Sequence, residues 1–238
     1  MDTYMKDHAY SNDSVSNEVM STLLRKVYAW MFLSLWVTGL TAYVVSVSPG
    51  ILNLLYSSSV SLIVLVIAQL GLAALFSSLL HKMSLHVGGA LFALYSVLTG
   101  VMFSSIFILY TAESIASTFL ITAGTFGAMS LYGYVTKRDL TSIGKFLIMG
   151  LIGIIIATIV NIFLQSSLVS WISTYVGVII FVGLTAYDTQ KIKEMLHIQS
   201  QGGLTENSMK VALFGSFMLY LDFINLFIRL LRIFGRRK

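Results

Sequence analysis

Residues 146–165 read FLIMGLIGIIIATIVNIFLQ, a stretch with no charged side chain. An α-helix rises about 1.5 Å per residue, so about 20 such residues cross the hydrocarbon core of a bilayer. This stretch therefore predicts a transmembrane helix. Outward from it, further stretches have the length and composition of a span: 27–47, 60–80, 85–110, 114–135 and 168–188. A last apolar stretch, 209–231, contains polar residues near its middle. The pattern predicts an all-α membrane protein.

The composition of the whole chain agrees with this fold class. Of the 238 residues, 57% are hydrophobic and 11% are charged, and the mean hydropathy is +0.86, whereas soluble domains carry about 25% charged residues. A water-soluble fold is therefore excluded. Cysteine is absent, and the four histidines are scattered without the spacing of metal ligands, so no zinc site and no cofactor is predicted. The basic residues lie at or beyond the ends of the apolar stretches, which suits a lipid bilayer and not a nucleic acid.

Charge in the predicted loops alternates along the chain. The loops at about 48–59, 111–113 and 166–167 contain no Lys or Arg, while the N-terminal segment and each of the other loops contain at least one. Basic residues concentrate in cytoplasmic loops, so this alternation predicts a cytoplasmic N-terminus.

The basic C-terminus conflicts with this rule. Seven crossings would export Arg229, Arg232 and the tail, whereas six crossings with a re-entrant seventh segment would keep them inside. A helix of about 20 residues packed among other helices can cross while carrying polar residues, so seven crossings is the interpretation favoured here. The predicted organisation is a polar cytoplasmic segment 1–26, a seven-helix domain 27–235 and a basic tail 236–238.

Small residues four positions apart allow helices to approach closely in lipid. The sequence predicts such contacts at three pairs: Gly89 and Ala93, Ala123 and Gly127, and Gly153 and Ala157.

Two carboxylates inside the apolar stretches are the main candidates for a functional site. Asp188 closes the sixth stretch in GLTAYDTQKIK, residues 183–193, and Asp222 lies within LYLDFINLF, residues 219–227. An ionisable residue near the centre of a membrane helix costs about 2.5–3.5 kcal/mol to insert, so such residues indicate function. They lie on consecutive antiparallel helices and can face each other. A facing pair would share one proton and repel when both ionise, which predicts a pH-sensitive latch, and its oxygens would suit transient binding of a cation such as calcium.

Structural alternatives exist for both aspartates. The first could be a hydrated residue at a helix end that hydrogen-bonds to Thr189 or Lys191. The second could form an ion pair with Arg229 or a hydrogen bond with Asn225.

Other polar residues have weaker patterns. Gln69 lies in an apolar stretch, where an amide commonly links helices by a hydrogen bond. Glu113 precedes the fourth stretch, where it would favour the positive end of a helix or, as a second interpretation, attract an external cation. His81 and Lys82 end the second stretch at its cytoplasmic side, where a cation could reach Asp188, although an interfacial anchor is the favoured interpretation.

Several segments together resemble one known family. They are YTAESIASTFL at the start of residues 110–164, GLTAYDTQKIK in 183–193 and LYLDFINLFIRLLRIF in 219–234. Over about residues 27–235 the chain resembles the Bax inhibitor-1 family, also called the transmembrane Bax inhibitor motif family, in its bacterial branch.

The resemblance implies a seven-helix fold with the last helix central and a pH-sensitive calcium leak. In that family an aspartate pair on the sixth and seventh helices switches the protein by protonation, and the matching positions here are Asp188 and Asp222. A basic latch residue near the end of the second helix, usually arginine, pairs with the aspartates. This chain offers His81 or Lys82, so the latch would be weaker or itself pH-dependent. Where relatives can carry a glutamate in the second helix, this chain has only Gln69.

The sequence suggests three functions. The leading hypothesis is a calcium or cation leak channel of the cytoplasmic membrane, which would be the inner membrane in a cell with two. The alternative is a regulatory protein that binds and modulates a membrane-bound ATP-dependent protease through residues 1–26. An intramembrane aspartyl protease is disfavoured, because its second aspartate follows Gly-x-Gly, whereas Asp222 here follows residues 219–221, Leu-Tyr-Leu. No enzyme activity is therefore predicted.

Overall fold

The computed structural model describes residues 2–238, with the backbone alone described for residues 2–15, 56 and 59. This part of the chain forms α-helices and no strand. The helices are α1 (Asp2–Ser46), α2 (Pro49–Tyr56), α3 (Ser59–Leu79), α4 (Leu85–Leu109), α5 (Ala112–Val135), α6 (Thr141–Leu164), α7 (Ser167–Ser200) and α8 (Glu206–Phe234), with a short 3-10 helix (Leu80–Lys82) after α3.

Seven of these helices are long and apolar enough to cross a membrane, all except the short α2. The predicted fold class, an all-α membrane protein, is thus confirmed. Helix α8 has the largest buried share, since 67% of its apolar window is buried compared with 11–33% in the other six. A high buried share is what a central helix would have. The central position of the last helix itself stays a prediction.

Two helices extend beyond the predicted stretches. Helix α7 continues for twelve residues after Asp188, because residues 189–200 contain no glycine or proline and include several strong helix formers. It ends shortly before Gly203, whose φ of +78° suits a residue without a Cβ. Asp188 is therefore inside a helix and not at its end.

Helix α1 begins before the first apolar stretch. Residues 16–26 were predicted to belong to a polar segment, yet Leu23 is fully buried and Val19 is 9% exposed. The hydroxyl groups of Ser16 and Ser200 are hydrogen-bonded at 3.1 Å. The segment is therefore packed from residue 16 onward, while the side chains of residues 1–15 lie outside the described part of the structure.

The chain divides into two compact units. Unit 1 comprises residues 1–105 and 192–217, and unit 2 comprises residues 106–191 and 218–238. Helices α7 and α8 each supply residues to both units.

An aromatic cluster forms part of the core of unit 1. The ring of Phe217 lies 4.4 Å from Phe76, 5.4 Å from Phe92 and 5.0 Å from Tyr95, measured between ring centroids. Tilted and edge-to-face geometries of this kind stabilise aromatic pairs beyond simple burial. The cluster joins α3 and α4 to the first half of α8.

Apolar residues of three helices form the core of unit 2. Members of this core share a buried position on the facing sides of α6, α7 and α8, and are Leu147, Ile154, Ile180, Phe181, Leu184, Leu226 and Leu230. The core fixes the second half of α8, which carries Asp222, against the middle of α7.

The close contacts predicted at small residues occur only in part. In unit 1, a Cβ at Gly89 would lie 3.3 Å from the ring of Trp30, which is a tight approach. Gly127 and Gly153 face open space, so their predicted contacts are wrong. Spacing alone cannot identify the face of a helix that meets a neighbour. Close approaches occur at other glycines, described below.

The C-terminal tail pairs with the connection between α4 and α5. The Thr111 amide donates to the Arg236 carbonyl at 3.1 Å, and the Lys238 amide donates to the Leu109 carbonyl at 3.0 Å. Tyr110 and Arg237 form an isolated antiparallel bridge. Because α8 is continuous over 29 residues and ends beside this loop, the structure favours a full seventh crossing over a re-entrant segment.

Candidate functional site

The two aspartates predicted to form a functional site both belong to unit 2, where they meet. The side chain of Asp188 in α7 is hydrogen-bonded to that of Asp222 in α8. Asp222 is 4% exposed and Asp188 is half-buried. The Oδ2 atom of Asp222 is buried and has no hydrogen-bond partner. The arrangement is a carboxyl pair inside two predicted spans.

This hydrogen bond has a chemical requirement. An ionised carboxylate has only acceptor atoms, so a hydrogen bond between two carboxyl groups needs a proton on one of them. Two negative charges at this distance in a medium of low dielectric constant would repel strongly. The contact between Asp188 and Asp222 therefore requires at least one proton on the pair, and full ionisation of both groups would replace an attraction by a repulsion.

Two glycines let neighbouring helices approach α7 closely next to Asp188. A Cβ at Gly133 in α5 would overlap the carbonyl group of Ala186, and a Cβ at Gly144 in α6 would overlap the ring of Tyr187. Only glycine leaves room for such close approach. Helices α5 and α6 thus hold the two residues that precede Asp188.

The two residues after Asp188 are held by hydrogen bonds. The buried Thr189 hydroxyl donates to the Thr185 carbonyl at 2.7 Å and is also hydrogen-bonded to the Ser130 hydroxyl at 3.3 Å, where the serine can supply the proton. The Gln190 amide group accepts from the Leu140 amide and donates to the Arg138 carbonyl, both at 2.9 Å. These contacts attach α7 to α5 and to the connection between α5 and α6. The aspartate is therefore carried by a rigid section of helix.

Aromatic contacts position Asp222 from the other side. The ring of the adjacent residue, Phe223, lies 5.4 Å from Phe119 and 5.5 Å from Phe126 of α5. Because α8 is anchored there, the rotation of the helix is set and the carboxyl group of Asp222 turns toward α7.

The structural alternatives considered for Asp222 do not occur. The Asn225 side chain donates to the Leu221 carbonyl of its own helix at 2.8 Å and not to Asp222. Arg229 donates to the Ser173 carbonyl at 2.6 Å, and its guanidinium lies 5.3 Å from the ring centroid of Phe181. The partner of Asp222 is the other aspartate.

Arg229 is a half-buried polar residue whose position against α7 was not predicted from the sequence. Its guanidinium fills the space over Gly177, where a Cβ would overlap it. Ser173, Gly177 and Phe181 lie four positions apart on one face of α7, so they supply in order a carbonyl, a gap and an aromatic ring. In the sequence, the only sign of this contact was the four-residue spacing of Ser173, Gly177 and Phe181 in one apolar stretch and an arginine in the next.

The remaining candidate residues make other contacts or are exposed within their own units. In unit 1, the Gln69 side chain donates to the Thr99 hydroxyl at 2.8 Å, a contact that links α3 to α4. In unit 2, Glu113 is exposed in the first turn of α5. His81 and Lys82 end the 3-10 helix of unit 1, and both are exposed. Their role as a latch stays a prediction.

The fold and this pair define a multi-pass membrane protein with a carboxyl pair inside its spans. Residues 20–238 match the model of the family described as inhibitor of apoptosis-promoting Bax1. The chain belongs to this family, the Bax inhibitor-1 family, as the sequence predicted.

Curated relatives agree with this assignment. The chain is 52% identical over 219 residues to the inner membrane protein YbhL of Escherichia coli strain K12, covering 92% of this chain and 93% of that protein. It is 46% identical to an uncharacterized protein of Borreliella burgdorferi, covering 92% and 94%, and 44% identical to an uncharacterized protein of Rickettsia prowazekii, covering 96% and 95%. The chain is a multi-pass protein of the cell membrane.

Proposed function

We propose that this protein is a pH-sensitive cation leak of the cell membrane, with calcium as the cargo and the pair of Asp188 and Asp222 as proton sensor and gate. The observation that carries the proposal is the hydrogen bond between these carboxyl groups inside unit 2, with the Oδ2 atom of Asp222 buried and unpartnered. An ionisable pair is costly to keep within membrane spans, which favours a functional reason for it.

The mechanism follows from the charge of the pair. With one proton the pair carries a single negative charge and the hydrogen bond holds α7 and α8 together. When the proton leaves, the two charges repel, and the pair is relieved either by separation of the helices or by a cation between the carboxylates. Calcium is a hard cation that prefers such oxygen ligands. Rising pH therefore favours cation entry.

A basic latch would modify this response. His81 or Lys82 would stabilise the doubly ionised pair from the cytoplasmic side and so delay cation entry. This part of the proposal is tested by His81→Gln and Lys82→Gln, of which the effective one should increase flux at neutral pH.

The first test is calcium flux into proteoliposomes of the purified protein between pH 6 and pH 8. We expect wild-type flux to increase with pH, because deprotonation opens the pair, and we expect Asp188→Asn and Asp222→Asn to flatten this response. Asn is close to Asp in shape but cannot ionise. A matched control is Asp139→Asn, which removes an exposed aspartate outside the spans. If both pair variants keep the wild-type pH response, the gating role is wrong.

Modulation of a membrane-bound ATP-dependent protease remains the alternative. It is favoured by the exposed polar face of α1, where Asn17, Glu18, Ser21 and Arg25 point away from the buried Leu23. Deleting residues 1–15 and reversing the charges of Glu18 and Arg25 leaves that buried residue in place. The alternative expects these variants to lose protease modulation while flux persists. Retained modulation would count against this face as the contact.

A further inference from the structure

A polar cavity opens at the end of unit 2 where the chain terminates. It has a volume of about 500 Å³ and is lined by residues of α7, α8 and the tail: Ser170, Trp171, Arg232, Ile233, Gly235 and Arg237. It lies beside the tail and away from the contacts that Gln190 makes with the connection between α5 and α6. The cavity does not include either aspartate of the carboxyl pair.

The two arginines of this cavity lack compensating negative charge. The Nη1 atom of Arg232 is 3.4 Å from the hydroxyl groups of Ser170 and Thr174, which are long and weak hydrogen bonds. Arg237 is exposed. Neither guanidinium has a carboxylate within 4.0 Å among the residues with described side chains. Each therefore has donors available for an anion.

The acid nearest in sequence does not fill this role. Glu113 lies in the first turn of α5, close to the tail because the Ser114 hydroxyl accepts from the Arg236 amide at 3.0 Å. Glu113 is nevertheless exposed and forms no ion pair with an arginine of the tail. The positive charge of the cavity is left for an external anion.

Aromatic side chains place the cavity at the level of lipid headgroups. The ring of Trp171 stacks on Tyr175 with 5.8 Å between centroids and an interplanar angle of 25°. The two residues are 47% and 52% exposed. Exposed Trp and Tyr at the end of a membrane helix are typical of the interface between hydrocarbon and water.

The tail is held in place before any anion binds. Besides the backbone hydrogen bonds to the connection between α4 and α5, the Lys238 ammonium donates to the Phe107 carbonyl at 2.7 Å. Gly235 allows the ring of Tyr110 to pack against the backbone, since a Cβ there would lie 2.6 Å from that ring. Arg237 thus belongs to an ordered segment, which lowers the entropy cost of binding.

From these observations we infer that the cavity between Arg232 and Arg237 binds a phosphate group, and that the phosphate is supplied by the headgroup of an anionic phospholipid. Arginine binds phosphate oxygens through two parallel hydrogen bonds, and two guanidinium groups at the mouth of one cavity suit a phosphodiester. The exposed Trp171 and Tyr175 provide the apolar surface along which the acyl chains lie. The inference is independent of ion conduction.

The test titrates the full-length protein in a nonionic detergent with dioctanoylphosphatidylglycerol and follows the midpoint of thermal unfolding. A ligand that binds the folded state raises this midpoint with concentration. We expect stabilisation by this lipid, little by dioctanoylphosphatidylcholine, and a loss of affinity of about tenfold or more in the Arg232→Gln/Arg237→Gln double variant. Added salt should weaken the binding.

The matched control is Lys137→Gln/Arg138→Gln, which removes the same charge from the connection between α5 and α6, where both residues are exposed. Circular dichroism without lipid checks that the variants fold, and Arg237→Gln alone serves if the double variant does not. Equal affinity in the wild type and the arginine variants would overturn the site. If inorganic phosphate binds at the arginines and displaces the lipid at equal concentration, the phosphate site stands and its assignment to a lipid is overturned.

Discussion

Arg229 occupies a membrane span without a carboxylate partner, and its surroundings explain how. The Ser173 carbonyl accepts a hydrogen bond from its guanidinium, the Phe181 ring stacks beneath it, and Gly177 leaves the space it needs. Arginine suits this position because its planar group can donate and stack at once. The residue fastens the end of α8 to α7, about two helical turns from the aspartate pair along the same face of each helix.

Replacing Arg229 should therefore weaken the contact between α7 and α8. We expect Arg229→Gln to lower the free energy of unfolding by about 1.5–3 kcal/mol, the range for hydrogen bonds to charged groups. Arg229→Lys should recover only part of this, because an ammonium cannot stack on Phe181 as a planar group does. Unfolding in mixed micelles by a denaturing detergent measures the change. Lys145→Gln, at an exposed position, is the control, and an equal loss there would contradict this role.

Asp139 is a single residue that can serve as a control for experiments on the pH response of the aspartate pair. It precedes α6 and accepts a hydrogen bond from the Thr141 amide at 2.8 Å. Hydrogen bonding to the Thr141 side chain and backbone holds the pKa of Asp139 below its usual value. Its stabilising effect is then fully present above the unfolded pKa of about 3.9 and is lost only as the pH falls through the lower folded value.

The expected result is that wild type and Asp139→Asn have parallel profiles of unfolding midpoint against pH between pH 6 and pH 8. Any change of stability in that window must come from other groups, including the aspartate pair. Divergence of the two profiles within the window would show that Asp139 titrates there and would disqualify it as the control.

At the scale of helices, glycines decide which faces of α5 and α7 meet. Gly133 lies against the Ala186 backbone, two residues before Asp188, while Gly127 of the same helix faces open space. The two glycines are six positions apart, so they point in different directions on α5. They form a natural pair for substitution.

Gly133→Ala should separate α5 from α7 and move Asp188. Overpacking of this kind costs about 1–3 kcal/mol, and the displaced carboxyl group should also change the pH response of calcium flux. Gly127→Ala should be neutral or stabilising by up to about 1 kcal/mol, because alanine favours helix and nothing obstructs it. Unfolding and flux are measured on both variants. Equal stability of the two would mean that the contact at Ala186 is not tight.

At the scale of the whole molecule, the open question is how the basic tail accords with the charge of the loops. Within unit 2 the tail pairs with the connection between α4 and α5, whereas Gln190 contacts the connection between α5 and α6. Helix α5 lies between these two connections. If α5 crosses the membrane, the tail and residues 136–140 are on opposite sides.

The absence of cysteine makes this topology directly testable. We expect single cysteines at Glu113 and Lys238 to react with an impermeant maleimide from outside intact cells. Cysteines at Ser21 and Arg138 should react only after the membrane is permeabilised. Glu113 and Lys238 should lie on the same side of the membrane, because the tail pairs with the connection between α4 and α5. That side should be the outer one, because the loops richest in Lys and Arg are expected in the cytoplasm. Labelling of Lys238 together with Arg138 would contradict a seventh crossing.

The sequence by itself was enough to recognise the fold class, the family and seven apolar stretches, and it singled out the two aspartates as candidates. Each of these depends on local properties: the length of an apolar stretch, the cost of a carboxylate within it, and the order of residues in motifs such as 183–193 and 219–227. These properties do not depend on how the helices pack against each other, so they can be recognised from the sequence alone.

Only the tertiary structure decided which residues meet. Spacing predicted close approaches at Gly127 and Gly153, but they occur at Gly133 and Gly144, and the place of Arg229 over α7 was not foreseen. The rotation and axial offset of each helix determine these contacts, and both result from packing between residues far apart in the chain. Recognising the carboxyl pair required both the sequence and the tertiary structure. The sequence supplied the two aspartates, and the packing of α7 against α8 brought them within hydrogen-bonding distance.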